Sequence, residues 1–543
     1  MSKNITKLLS EDDRPHDVAD NKKNKYGQYF TPELIADFMI NLADITKNTT
    51  ILEPSCGEGI FIKQLLKKGH KNITGYELDN SLIPASLSKT IINESFVAMD
   101  THKKYNLIIG NPPYIRWRNL EQELKTELSS NQLWNKHFNS LCDYSYLFIL
   151  KSVELLEDGG QLIFITPEYW LNTTHSKSLR NYLVQQGYFE AIYHFNETPI
   201  FENVHVSTIV FKFIKSNEKK PFINFTKFHT NKKLTQEVLE NIKESNQTDH
   251  VTYMKIAQFT ENKNWLLSSE TINEEMRYFE NKCKSPNTTS SKSFDNATEY
   301  PTIGDICDIG NGLVSGLDKA FQLSDEVLNP KELQQRLQVV KAKHLSPYLY
   351  TNITNYIYVN EIEEKAIFEK EYPNYFKKLF QDKKKLEKRY QYNRKIPYWH
   401  WVFLRNFTLF SSSKDRIFVP CKERISNKDY FRFSFVEKNI FPTQDVTALF
   451  RKENTRESIY YILAFLNNKR VFQWLVNNGI VKGNIVEFSE RPIASIPFRK
   501  IDWNNPEDVY NHDLITTYTA QYIQTSSKGY LEKVHLIFDD LLN

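Results

Sequence analysis

Residues 105–114, YNLIIGNPPY, form an apolar run that breaks off at Asn111-Pro112-Pro113-Tyr114. Each proline fixes φ and lacks the N–H needed to extend a sheet ladder, so this spacing predicts a buried strand ending at Asn111. The strand end presents a side-chain amide, a rigid carbonyl at Pro112 and an aromatic face at Tyr114. An exocyclic NH2 group would donate to the first two while the ring carrying it stacks on the third. The motif therefore reads as a holder for a planar amine.

On both sides of this strand, short apolar runs alternate with helical spacing between Thr31 and Phe213. Strands are predicted at 50–53, 73–77, 95–98, 105–109, 161–166, 191–195 and 207–213, and helices at 32–42, 59–66, 144–156 and 176–185. That alternation predicts βαβ units and a doubly wound, mostly parallel, Rossmann-like α/β domain. Thr31 is placed as a helix cap, with Pro32 at the first helical position. Phe30 is assigned to the core.

Upstream, residues 51–61 (ILEPSCGEGIF) read as strand, glycine turn and helix, with Gly57 and Gly59 letting the backbone approach a ligand closely. The Lys-Ser/Thr pair of a phosphate-binding loop is missing. Glu53 closes this strand, Glu77 closes the next, and Asp100 is placed at the end of a third (FVAMD). In open α/β sheets the carboxyl ends of strands bind ligands, and an acidic residue about twenty positions past the glycine turn accepts from ribose hydroxyls. Three carboxylates there disfavour a pyrophosphate and favour a cofactor with a positive centre. The sulfonium of S-adenosylmethionine fits.

Composition limits the remaining possibilities. A chain of 543 residues exceeds one compact core. Lys+Arg 70 against Asp+Glu 66 leaves a net charge of +4, so any nucleic-acid signal must be local. The five cysteines are scattered, with no C-x-x-C pair, which argues against both a disulfide framework and a zinc site; no metal is expected. The N-terminus has no apolar signal segment and no stretch approaches a membrane span, so a soluble, cytoplasmic protein is expected. Residues 284–299, which open with the Ser/Thr/Asn-rich stretch KSPNTTSSKSFDNAT, read as a linker. This gives a catalytic domain at 1–283 and a C-terminal mixed α+β domain at 300–543.

The motifs resemble those of the γ-class N6-adenine DNA methyltransferases that carry a C-terminal target recognition domain. The elements follow that family's order: 26–32 (YGQYFTP), 52–61 (LEPSCGEGIF), Glu77, Asp100, then Asn111 to Tyr114. The segment 200–213 (IFENVHVSTIVFKF) is similar to the one that supplies a second aromatic wall to the target-base pocket, at Phe201. A looser likeness covers 309–323 and 441–450. The resemblance implies S-adenosylmethionine contacts at Thr31, Glu53, Pro54, Ser55, Cys56, Gly57, Glu77, Asp100 and Pro113, with the Cys56 backbone acting there. It implies catalytic roles for Asn111, Pro112, Tyr114 and Phe201 on an adenine extruded from double-stranded DNA.

Arg116, Trp117 and Arg118 follow the amine holder and are placed against DNA phosphates or the vacated base position. A basic cluster in the second half includes Lys383, Lys384, Lys385, Arg389 and Arg394, followed by Tyr398-Trp399-His400-Trp401. It is read as a DNA-backbone contact, with Arg405, Lys422, Arg424 and Lys482 as candidates for base reading. The expected protein is a monomeric, site-specific adenine methyltransferase of a bacterial or archaeal cell. It would be associated with the nucleoid through DNA, either solitary or paired with a separately acting restriction endonuclease. An RNA or protein-glutamine N-methyltransferase, and a catalytically idle DNA-binding specificity subunit, stay open as alternatives.

Overall fold

The computed structural model describes residues 29–99, 102–196, 198–201, 207–229, 234–263, 265–284, 291–293, 296–324, 327–392, 394–482 and 484–542. The chain divides into two compact units, Met1–Ile272 and Asn273–Asn543. The division falls ahead of the Ser/Thr/Asn-rich stretch. Helix Glu270–Lys282 belongs largely to the second unit, where Phe279 packs on Phe465 and Glu280 accepts from the Trp474 indole.

The first unit is built on a nine-stranded sheet. Its strands are β1 (Ile51–Glu53), β2 (Ile73–Tyr76), β3 (Ile91–Ile92), β4 (Tyr105–Gly110), β5 (Leu156–Pro167), β6 (Gly187–His194), β7 (Thr208–Lys215), β8 (Phe222–Phe228) and β9 (Val251–Ala257). Their spatial order is β3-β2-β1-β4-β5-β7-β6-β8-β9. From β3 to β5 the pairing is parallel, whereas β7 runs antiparallel between β5 and β6. The chain leaves β1 toward β2 and β3, then returns to lay β4 on the other side of β1. This reversal opens a crevice at the carboxyl ends of β1 and β4.

Helices α1 (Glu33–Asn41) and α2 (Ile60–Lys67) lie within a few residues of the predicted bounds. Beyond the β4 loop come α3 (Gln122–Ser130) and α4 (Gln132–His137), then α5 (Ser145–Glu154) and α6 (Lys177–Gln186). One apolar cluster holds Leu52, Ile108 and Phe164 with α5, and another holds Ile51, Leu107 and Ile109 with α1 and α2. Alternate residues of β1 and β4 thus enter opposite clusters, as a sheet covered on both faces requires.

Two sequence expectations change here. Residues 95–98 form a turn, not a strand: Ala98 N–H and Met99 N–H both donate to the Ser95 carbonyl, and the third strand is Ile91–Ile92. Phe96 and Val97 are buried from that turn, so their apolar character reported the core and not a ladder. β8 and β9 extend the sheet past Phe213. In β8 the pattern is plain, with Phe222 exposed, Ile223 buried, Asn224 exposed and Phe225 buried.

The second unit is mixed α+β. Its largest sheet has the order Cys307–Asn311, Val446–Arg451, Arg416–Pro420, Ser434–Val436, antiparallel throughout. Two three-stranded sheets accompany it. Helices Pro506–Thr525 and Lys528–Leu542 close the chain, and Phe538 of the latter packs on Tyr461 and Phe465. Among the described residues no helix is long and apolar enough to cross a membrane, and no group of His, Cys, Asp and Glu could hold a metal ion.

Candidate active site at the strand ends

β1 ends at Glu53, and the turn that follows is shaped by two glycines in the left-handed region, Gly57 at φ +51° and Gly59 at φ +74°. The positive φ of Gly59 would strain any other residue there, and a Cβ would lie 2.5 Å from a Leu87 methyl that would have to shift. Glu77, just past β2, fixes the turn: Gly57 N–H donates to its Oε2 at 2.7 Å and Asp79 N–H to its Oε1 at 2.8 Å. Ser55 Oγ donates to the Asn111 carbonyl at 2.9 Å and so ties the β1 turn to the end of β4.

Thr31, Glu53, Ser55, Cys56, Gly57 and Glu77 face one cavity. Asn111, Pro112 and Pro113 line it as well. Pro54 is buried away from it, against Gly110 of β4. Asp100 lies outside the described residues. Cys56 differs from expectation, since its N–H donates to the Tyr76 carbonyl at 2.9 Å and its carbonyl accepts from Gly59. Its backbone is therefore engaged in the turn. Thr31 does not cap α1, because Pro32 is the N-cap residue and the Thr31 hydroxyl instead accepts from Asn111 Nδ2 at 3.1 Å.

The electrostatics of the cavity are uneven. Glu53 is 1% exposed, and among the described residues its Oε2 has no hydrogen-bond partner. Burial, with the Glu77 charge adding to it, pushes the Glu53 carboxyl well above the usual carboxylate range. Glu77 is also raised, again chiefly by burial. An orphaned carboxylate oxygen is costly unless a donor or a cation meets it. A ligand with a positive centre would complete it, and this donor set fits S-adenosylmethionine.

In the same cavity, Asn111 is held at both ends. Its Nδ2 donates to the Tyr29 carbonyl at 2.7 Å, which fixes the amide orientation, and its Oδ1 faces the Tyr114 hydroxyl. That hydroxyl also lies against the Ile165 carbonyl at the end of β5, so its single proton serves one oxygen at a time. Burial, with the charge of Asp143 adding, holds the Tyr114 phenol well above its ordinary range. Asp143 is a buried carboxylate, passed over in the sequence, that accepts from Ser145 and from the Tyr169 hydroxyl at 2.8 Å. Phe201 is buried nearby with its ring 5.8 Å from that of Tyr29.

Two aromatic residues of this site escaped sequence reasoning. Phe30 is 46% exposed and lines the cavity beside Gly57, so it is not core. Tyr29 stacks on Tyr114, with centroids 5.9 Å apart and planes at 24°. Adjacent aromatics in an extended segment point to opposite sides, so both cannot enter one core. That was the available signal.

The flanking cations are mixed in kind. Trp117 stacks on Trp134 at 5.4 Å and so belongs to the core margin; Arg118 is exposed, and the backbone of Arg116 pairs with that of Asp143 in an isolated antiparallel bridge. In the second unit Lys384 and Lys385 are exposed, Lys385 paired with Asp382 at 2.7 Å, while Lys383 lies over the Phe380 and Tyr398 rings. Arg389 is turned inward, donating to the Ser315 carbonyl at 2.8 Å and to those of Tyr398 and His400. Arg394 donates to the Val402 carbonyl, and Arg405 to that of Gly312 at 2.7 Å. Tyr398, Trp399, His400 and Trp401 are all buried, so they form core and not a stacking platform. The exposed aromatics beside the cations are Phe380, Tyr390 and Tyr392.

A Rossmann-like sheet of this order, with acidic groups beyond β1 and β2 and Asn-Pro-Pro-Tyr beyond β4, defines an S-adenosylmethionine-dependent methyltransferase. Residues 36–201 match the Eco57I restriction-modification methylase family. The chain is 43% identical over 523 residues to the Type II methyltransferase M.HindII of Haemophilus influenzae, covering 96% of this chain and 98% of that protein. It is 41% identical over 525 residues to M.HincII, also of Haemophilus influenzae, with the same coverage. The protein belongs to the Type II methyltransferase family of restriction-modification systems. Its fold resembles that of the Type IIL restriction-modification enzyme MmeI, with a TM-score of 0.59 at 12% identity, covering 96% of this chain and 72% of that one.

Proposed function

We propose that the protein transfers the methyl group of S-adenosylmethionine to N6 of an adenine extruded from double-stranded DNA, at a site read by the second unit as a target recognition domain. The observation that carries this reading is that Glu53 and Asn111 line one cavity: a buried carboxylate with an oxygen unpartnered among the described residues, suited to a cation, and an amide suited to an amine.

S-adenosylmethionine supplies the electrophilic methyl. Glu53 and Glu77 orient the donor through its cationic and hydroxyl groups, with Thr31, Ser55 and Pro113 lining the same cavity. Asn111 Oδ1 exchanges the Tyr114 hydroxyl for one amine N–H, and that hydroxyl keeps the Ile165 carbonyl as its partner. With a second N–H accepted by the Pro112 carbonyl, the nitrogen lone pair is directed out of the ring plane toward the methyl. Tyr114 and Phe201 stack on the base, contributing about 1–3 kcal/mol per stacked face against an extrusion cost of a few kcal/mol.

The cations at Arg118, Lys383, Lys384 and Lys385 contact phosphates and carry salt-dependent affinity. Arg389 takes no part in that contact, because carbonyls already engage its guanidinium group, whereas Arg394 is exposed with only Nη2 engaged and joins the phosphate contacts. The protein works as a monomer, and a cognate endonuclease, where present, acts separately.

The test is incubation of the enzyme with unmethylated phage λ DNA and S-adenosylmethionine, followed by digestion to nucleosides and mass spectrometry. N6-methyladenine is the expected product. N4-methylcytosine would place a different exocyclic amine in the same holder and overturn the adenine reading, and an unmodified digest would overturn the DNA reading.

A further inference from the structure

We propose that Tyr29 occupies, in the DNA-free protein, the slot between Tyr114 and Phe201 that receives the extruded base, and that withdrawal of its ring is a step in base entry. This rests on the reading of those two residues as the walls of the base pocket.

The Tyr29 ring contacts both of the others. Tyr29 is stacked on Tyr114 at 5.9 Å and 24°, and lies 5.8 Å from Phe201 at 44°. Both separations fall within the range that interacting aromatic pairs adopt, so the Tyr29 ring holds contacts with the two walls that an entering base would have to take over. The backbone and side chain of Tyr29 are held differently. Its carbonyl accepts from Asn111 Nδ2 at 2.7 Å, which pins the main chain to the catalytic amide. Among the described residues nothing hydrogen-bonds its hydroxyl, and the side chain is only part-buried. Tyr114 contrasts with this, since its hydroxyl is tied to Asn111 and Ile165. Rotation about the Tyr29 side-chain bonds therefore clears the slot while Asn111 stays positioned.

Such a ring has two consequences. It keeps Tyr114 and Phe201 covered when no base is present, and it competes with the base, lowering apparent DNA affinity by the fraction of protein whose slot is open. Loss of two ring contacts corresponds to an effect on the order of tenfold.

The experiment compares the full-length protein with Tyr29→Ala, Tyr29→Leu and Tyr29→Phe. Quenching of 2-aminopurine riboside fluorescence reads occupancy of the slot without DNA, and the KM for unmethylated λ DNA reads base entry. Tyr29→Ala and Tyr29→Leu should bind the riboside on the order of tenfold more tightly than wild type or Tyr29→Phe, with KM for DNA falling in proportion. Two variants of different volume guard against a misfolded one. Equal quenching by all four proteins would overturn the proposal. So would a KM that rises in Tyr29→Ala and Tyr29→Leu and recovers in Tyr29→Phe, because the ring would then be a permanent wall. Failure of the wild type to methylate λ DNA would count against the proposed reaction instead, and the riboside measurement would still report on the slot.

Discussion

The acidic strand ends of the first unit and the basic run of the second handle charge in opposite ways. Glu53 is removed from solvent and left with an oxygen unpartnered among the described residues, while Lys384 and Lys385 stand in solvent, and Arg389, from the same run, is turned into the protein to brace the carbonyls of Ser315, Pro397, Tyr398 and His400. A buried charge without a partner is unfavourable unless a ligand completes it, so its presence marks a binding site. An exposed charge costs little and marks a site only when several converge on one ligand. A charge already paired with carbonyls is structural, however basic its sequence neighbourhood.

The largest break in this comparison comes from the amine side of the cavity. Asn111→Ala should lower kcat by at least about 10²–10³-fold, on the scale of losing one oriented hydrogen-bonding group at a reacting centre. Affinity for S-adenosylmethionine, read by calorimetry, should stay within a few fold. Near-normal turnover would remove Asn111 from the chemistry.

Next in size is the inward arginine. Arg389→Ala strands the Ser315, Tyr398 and His400 carbonyls and should reduce unfolding stability by about 3 kcal/mol, measured in urea. A variant as stable as wild type but weaker on DNA would return Arg389 to the phosphate-binding set.

Glu53→Gln keeps the shape and removes the charge. Loss of a charge-assisted contact predicts about ten- to a hundredfold weaker S-adenosylmethionine binding. The wild-type pH profile sharpens the point. Because the folded Glu53 pKa is raised, the ligand-free protein is favoured while the group is protonated, and that stability is lost as pH rises through the raised value. A cationic ligand prefers the ionised form, so affinity and the ligand-induced rise in Tm should both increase across that window, above the ordinary carboxylate range. Glu53→Gln should flatten both, and an unchanged profile in the variant would assign the titration elsewhere.

The smallest effect on stability is expected for Lys383→Gln, Lys384→Gln and Lys385→Gln combined, within about 0.5 kcal/mol of wild type. On DNA the same triple variant should weaken binding to all sequences alike and flatten the salt slope by about 2 to 3. An unchanged slope would leave the run as a solvated helix face.

Much of the catalytic sheet was legible because its strands are short apolar runs bounded by turn chemistry, and β1, β2, β4 and β7 lie within a few residues of their predicted bounds. The error at 95–98 arose because Phe96 and Val97 enter the core from a turn, and an apolar run of that length does not distinguish the two. β8 and β9 had the right alternation and were passed over. In the site, the acidic residues and Asn-Pro-Pro-Tyr were visible as types at strand ends. Tyr29 and Phe30 were not, since their roles depend on a segment with no periodicity that crosses in front of β4.

By itself the sequence determined a mostly parallel sheet with acidic residues and Asn-Pro-Pro-Tyr at its strand ends, because proline, glycine and apolar spacing act through local backbone geometry. Only the tertiary structure decided which polar atoms were already engaged. It placed the Thr31 hydroxyl on Asn111 and not on its helix, closed the Cys56 backbone into the turn, and turned Arg389 inward. Partner choice depends on distances of a few ångströms between residues far apart in the chain, and spacing along a sequence carries no record of them.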